Sequence, residues 1–171
     1  MLDCETPLGK MYIEEQYKTQ KILEGMGFVV VSMSKKSHHS DAIIAKREEN
    51  GLFIYGVAEI KTRRMAGDVP LTKRYLEENG YLITYEKIKT GCDLAFKLGV
   101  PFFLIVRVLG EDFMAIWRIT DEEGLFLFEF DRKVSGSQKT CNGGFAVREN
   151  AYLPIDKAKL FDCVHRSWSR S

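Results

Sequence analysis

The run FIYGVAEIK at residues 53–61 is apolar at almost every position until its last three. Side chains alternate faces along a strand. Phe53, Tyr55 and Val57 therefore share a face with Glu59 and Lys61, while Ile54, Gly56, Ala58 and Ile60 point the other way. Apolar character on both faces predicts a central strand buried on both sides. It emerges at its C-terminal end with an acid and a lysine side by side.

Upstream, YIEEQYKTQKILEGMGF puts Tyr12, Gln16, Leu23 and Met26 on one helical stripe, widened by Ile13, Tyr17 and Ile22. Thr6-Pro7 is a helix opening, although Gly9 favours a start a few residues later; Gly25 or Gly27 ends the helix. FVVVSMS (28–34) reads as a first strand and KKSHHS as a polar loop. Asp41 opens a second strand, DAIIAKRE, joined to the 53–61 strand through Asn50-Gly51. The loop length decides what faces Asp41. A two-residue Asn50-Gly51 loop places it opposite Ile60, on the wrong face for Glu59. A three-residue Glu49-Asn50-Gly51 loop, or an equivalent bulge, places it opposite Glu59.

Farther on, TRRMAGDVP reads as a loop with exposed arginines and LTKRYLEEN as a short helix stopped by Asn79-Gly80. YLITYEKIKTGCDLAFKLG reads as a second major helix, with Leu82, Tyr85, Ile88, Cys92, Ala95 and Gly99 on one stripe; its internal Gly91 costs about 1 kcal/mol relative to alanine. VPFFLIVRVL is a buried strand, FMAIWRI its hairpin partner and GLFLFEF a further strand. Residues 131–150, polar and glycine-rich, read as a mobile loop carrying Arg132, Lys133, Lys139 and Arg148. AYLPIDKAKLF returns to the core and HRSWSRS is a frayed tail. The order of elements predicts an α/β domain, helices packed on a mixed sheet.

Length changes this picture little: 171 residues, 45% hydrophobic, suit a single domain over 1–171. The absence of a long apolar run or a signal-like N-terminus predicts a soluble, cytoplasmic protein without a membrane partner. Cys4, Cys92, Cys141 and Cys163 lack the paired short spacings of a zinc or redox motif and read as free thiols. The net charge of +1 decides nothing by itself, but residues 61–97 hold eight Lys/Arg against five acids.

Two carboxylates and a lysine at the ends of adjoining strands suit phosphodiester hydrolysis. That reaction needs a hydroxide at neutral pH and a sink for charge on an anionic phosphate, both supplied by Mg²⁺ on oxygen ligands. Asp41 and Glu59 are the candidate ligands, with the Ile60 carbonyl as a third. Lys61 is placed to orient or deprotonate the attacking water and to stabilise developing negative charge. Asp131-Arg132-Lys133 is a second acid-x-Lys match, set aside because it runs into Ser-Gly-Ser.

The order helix, strand, Ser40-Asp41, hairpin, A-E-I-K-T-R at 58–63, helix and apolar strand resembles the PD-(D/E)XK, or restriction endonuclease-like, nuclease superfamily over about residues 10–120. The resemblance implies an αβββαβ core, extended here by C-terminal strands, and a Mg²⁺- or Mn²⁺-dependent DNA nuclease with ligands at Asp41 and Glu59 and the lysine at Lys61. It also implies an acid from the first helix, Glu15 ahead of Glu14, and a substrate-facing polar residue on the second major helix, Lys87. Ser40 stands where the pattern has proline. A structure-selective enzyme of junction-resolvase or phage-recombination type, acting as a homo-oligomer, fits the small size. Arg63, Arg64, Lys73 and Arg74 are candidates for tracking DNA phosphates. His38 and His39 are candidates for phosphate or metal, and Tyr81 and Tyr85 for base stacking. The alternative reading is a non-catalytic nucleic-acid-binding or assembly module on the same scaffold.

Overall fold

A computed structural model describes residues 7–33, 40–136 and 147–168. Helix α1 spans Pro7–Gly25, starting at the proline despite Gly9, because a first-turn proline loses no hydrogen bond. Strands β1 (Phe28–Ser32), β2 (Ala42–Glu48) and β3 (Gly51–Arg63) follow as an antiparallel meander. Two short strands, β4 (Met65–Ala66) and β5 (Val69–Pro70), pair within the stretch expected to be a plain loop. Helix α2 (Lys73–Asn79) begins where Thr72 Oγ1 accepts the Tyr75 N–H, and it ends at Gly80.

The expected second major helix is shorter than its sequence pattern. Tyr81–Thr84 forms strand β6, and helix α3 runs from Tyr85 to Leu98. The partner of β6 lies far along the chain: Tyr81 pairs with Leu153 and Thr84 with Asn150 of strand β10. Strands β7 (Phe102–Val108) and β8 (Phe113–Arg118) form the apolar hairpin, β9 (Asp131–Gly136) and β10 (Val147–Leu153) a second hairpin. A single 3₁₀ turn at Ile155–Lys157 leads to β11 (Lys159–Asp162) and β12 (Ser167–Trp168).

The result is an α/β fold. A seven-stranded mixed sheet has the order β1-β2-β3-β7-β8-β11-β12, beside a three-stranded sheet β6-β10-β9. Among the described strands only β3 and β7 are parallel, and α3 makes the crossover between them. The two faces carry separate cores. Val57, Leu104, Val106 and Trp117 pack with Ile88 and Ala95 of α3. Ala58, Ile60, Ile105 and Met114 pack with Leu23 of α1. Among the described residues no helix is long and apolar enough to cross a membrane.

Four further expectations are corrected. The 53–61 strand is buried on both faces only from Gly56 to Ile60; Leu52, Phe53, Ile54 and Tyr55 are about half exposed, since β3 outruns both helices there. GLFLFEF makes one isolated bridge, Thr120 to Phe126, instead of a strand. Asp121 Oδ1 accepts the N–H groups of Glu123 and Leu125, and Gly124 takes a positive φ of 81°. The segment is thereby turned, and Phe128 and Phe130 pack on the α3-side core. The 131–150 stretch has paired ends in β9 and β10; Lys139 lies outside the described residues. Within the tail, Ser167 and Trp168 pair with β11, and the Trp168 ring packs edge-on against Phe161 at 5.2 Å.

Candidate active site

The hairpin that brings Asp41 to Glu59 uses neither expected loop. The turn is Glu49-Asn50, with Glu48 opposite Gly51. That register alone leads Asp41 opposite Ala58. A bulge at Tyr55 breaks it between Ile44 and Ala45, after which Ile44 faces Gly56 and Ala42 faces Ala58. One extra residue on the bulged strand shifts everything beyond it by one place. The bulge therefore brings Asp41 level with Glu59, the equivalent that the sequence argument required. It also undoes the expected face of Tyr55, whose ring stacks at 5.8 Å on Phe103 on the α1 side.

Glu59 is completely buried, with its carboxylate on the α3 side of the sheet. Lys61 Nζ lies 2.5 Å from Glu59 Oε1 and 3.1 Å from Asp41 Oδ2. Lys87, in the first turn of α3, brings its Nζ to 3.5 Å from the same Oε1. Asp41 Oδ2 also accepts the backbone N–H of Ile60 at 3.0 Å. The two lysines crowd Oε1, while among the described residues Oε2 has no hydrogen-bond partner. A buried carboxylate oxygen without a partner carries a desolvation penalty. Burial draws the Lys61 ammonium toward deprotonation, but attraction to Glu59 and Asp41 outweighs it and Lys61 titrates above its ordinary 10.5. Lys61 is thus held as a cation at neutral pH. That favours charge stabilisation and water orientation over proton abstraction.

The sequence candidates separate cleanly. Asp41, Glu59, Lys61 and Lys87 are brought together, and the Ile60 backbone joins them. Glu15 is held elsewhere: its carboxylate binds Arg107 Nη1 at 3.2 Å and Lys18 Nζ at 2.5 Å. Arg107 in turn binds Asp112 at 2.6 Å, on the α1 side where Thr19 meets Thr62. Arg63, next along the same face of β3 after Lys61, lies beside Tyr81. Burial raises the Tyr81 phenol above its ordinary 10.0 against the pull of Arg63 and Lys61. Tyr81 is core, 5.8 Å from Trp117, and Tyr85 carries the Arg132 guanidinium 4.7 Å over its ring. Arg64 is exposed, and Lys73 and Arg74 pair along α2 with Glu77 and Glu78. His38 and His39 lie outside the described residues. Arg63 and Tyr81 were separate candidates in the sequence; that they are neighbours was not legible, because Tyr81 lies on a strand paired far along the chain.

Among the described residues no group of three or more His, Cys, Asp or Glu is placed to hold a metal ion. Two carboxylates and a backbone carbonyl remain. Such a sparse oxygen set suits Mg²⁺, which keeps several waters and takes further ligands from substrate phosphate. A groove of about 910 Å³ lies apart, over Leu23, Phe28, Tyr55, Phe103, Ile116 and Trp168. It combines apolar walls with charged residues, Lys73, Glu77, Arg118 and Asp156 among them, and contains none of the four clustered side chains, so the carboxylate cluster is a separate feature. No protein-family model, no curated protein and no solved structure matches this chain.

Proposed function

We propose that this chain is a Mg²⁺- or Mn²⁺-dependent deoxyribonuclease of the PD-(D/E)XK type. The observation that carries the reading is Glu59, a fully buried carboxylate whose Oε1 faces two lysines and whose Oε2 has no partner among the described residues, level with Asp41. Burying an ionised carboxylate in this way is costly for the fold and is explained by a ligand that completes it. The order α1, β1 to β3, α3, β7, with β3 and β7 parallel, supports a restriction endonuclease-like core.

Asp41, Glu59 and the Ile60 carbonyl are the residues that would hold the cation. Bound there, it supplies a hydroxide at neutral pH and a sink for phosphate charge. Lys61 orients the attacking water and stabilises the negative charge that builds on the phosphate. Arg63 and Arg64, farther along the chain at the same end of β3, extend a cationic path for the DNA backbone.

The test is cleavage of labelled single-stranded, linear duplex, nicked and branched DNA in Mg²⁺, Mn²⁺ and EDTA, with wild type beside Lys61→Ala and Glu59→Ala. Cutting by wild type in metal alone, lost in both folded variants, is the expected result. Variants that cut as well as wild type would remove the site. Binding without cutting would favour a non-catalytic recognition module.

A further inference from the structure

We propose that the site takes one divalent cation, not two, with Lys87 standing on Glu59 where a second ion would sit. The proposal rests on the metal-dependent reading above and extends it to the ion count. Two-metal phosphodiesterase sites hold their ions about 3.5–4 Å apart, each with oxygen ligands of its own besides any shared carboxylate. This site has only Asp41 and Glu59 among the described residues, and Arg107 keeps Glu15 in a separate cluster. The flank of Glu59 facing α3 is already taken by a cation, Lys87 Nζ, 3.5 Å from Oε1.

Charge gives the same answer. Two carboxylates face two ammonium groups, Lys61 at 2.5 Å and 3.1 Å and Lys87 at 3.5 Å. One dication can be accepted if an ammonium gives way, and Glu59 Oε2, which has no hydrogen-bond partner among the described residues, is the oxygen left for it. A second dication would place four further positive charges, in all, against the same two carboxylates. Lys87 therefore limits occupancy and also weakens the one ion that binds. With the half-exposed Lys87 ammonium displaced to about 6–8 Å through water, its repulsion on the dication corresponds to about five- to tenfold in affinity.

The experiment titrates Mn²⁺ into the full chain and reads free Mn²⁺ by its electron paramagnetic resonance signal. It compares wild type, Lys87→Met, Lys87→Glu and Glu59→Gln, with circular dichroism melts confirming that each is folded. Wild type should bind one ion per chain. Lys87→Met should bind one ion about five- to tenfold more tightly, Lys87→Glu should admit a second, and Glu59→Gln should lose the site. Two ions on wild type, unchanged or weaker binding by Lys87→Met, or a single ion on Lys87→Glu would overturn the proposal. Wild type that cuts DNA yet binds two ions removes this inference alone; wild type that neither binds Mn²⁺ nor cuts removes the nuclease reading with it.

Discussion

Two charged clusters flank the end of β3, one on each face, separated by the thickness of one strand. On the α1 side Arg107 bonds Glu15 at 3.2 Å and Asp112 at 2.6 and 3.1 Å, so its guanidinium is shared between two aligned acceptors. On the α3 side Glu59 is more deeply buried, yet its Oε2 has no hydrogen-bond partner among the described residues. Both clusters hold two carboxylates with cations. The difference lies in completeness: a satisfied network holds the fold together, whereas an unsatisfied buried one stores a cost that binding can relieve.

The sharpest way to break this comparison is to exchange the roles. Glu59→Gln keeps the volume, removes the buried charge and leaves Lys61 its partner Asp41, so the fold should be no less stable than wild type while cleavage falls by at least about a thousandfold. Arg107→Met leaves two carboxylates facing each other with a cation removed and should cost about 2–3 kcal/mol in denaturant unfolding. Its cleavage per folded molecule should stay intact. An Arg107 variant that folds normally but cannot cut would show that the α1-side cluster belongs to the chemistry.

The same contrast explains what the sequence could reveal. Helix α1, strands β1, β7 and β8, and the chemical identity of Asp41, Glu59 and Lys61 follow from local period and composition, because each depends on neighbours within a few residues. The alignment of Asp41 with Glu59 depends on a bulge at Tyr55 that no local residue pattern marks. Strand β6 was hidden inside a helical stripe because its partner, β10, lies about seventy residues away. Glu15 had the right helix but the wrong face, which only the position of Arg107 decides. Leu125 and Leu127 have a strand's composition, yet their backbones pair over a single bridge, with Asp121 and Ile119.

Gly91 sharpens the comparison at the level of packing, because α3 must lie close to the sheet for Lys87 to reach Glu59. Helix propensity alone favours Gly91→Ala by about 1 kcal/mol. Packing opposes it: a Cβ there would sit 2.2 Å from the Phe102 ring, a buried side chain with nowhere to go. Overpacking of that kind costs about 1–3 kcal/mol, so the substitution should lower the thermal midpoint. Because the strain lifts the helix that carries Lys87 away from Glu59, Mn²⁺ binding should tighten, in the same direction as in Lys87→Met. A more stable Gly91→Ala would mean that α3 approaches the sheet less closely than described.

The smallest effect concerns the thiols, one on each side of the same sheet. Burial raises Cys92 to about 12, with Asp93 adding to the shift. Burial likewise raises Cys163 to about 11, where Asp112 adds and Arg107 subtracts. A thiol reacts as its thiolate, so both should resist iodoacetamide at pH 8 in the folded protein and alkylate readily in urea. The sign of the linkage follows. Below the ordinary thiol value of 9.0 neither state ionises and stability is unaffected; above it the unfolded chain releases protons that the fold retains, so stability falls as pH rises from 9.0 toward the folded values. Replacing Cys92 with alanine should flatten the steeper part of that fall, measured as urea midpoints at pH 8 and pH 10.5. Peptide-resolved labelling separates the two cysteines: Cys163, with Arg107 nearby and the lower value, should be alkylated first as pH is raised. Faster labelling of Cys92 would mean that the α3 side opens more readily than the Arg107 cluster, reversing the order of tightness drawn from their hydrogen bonds.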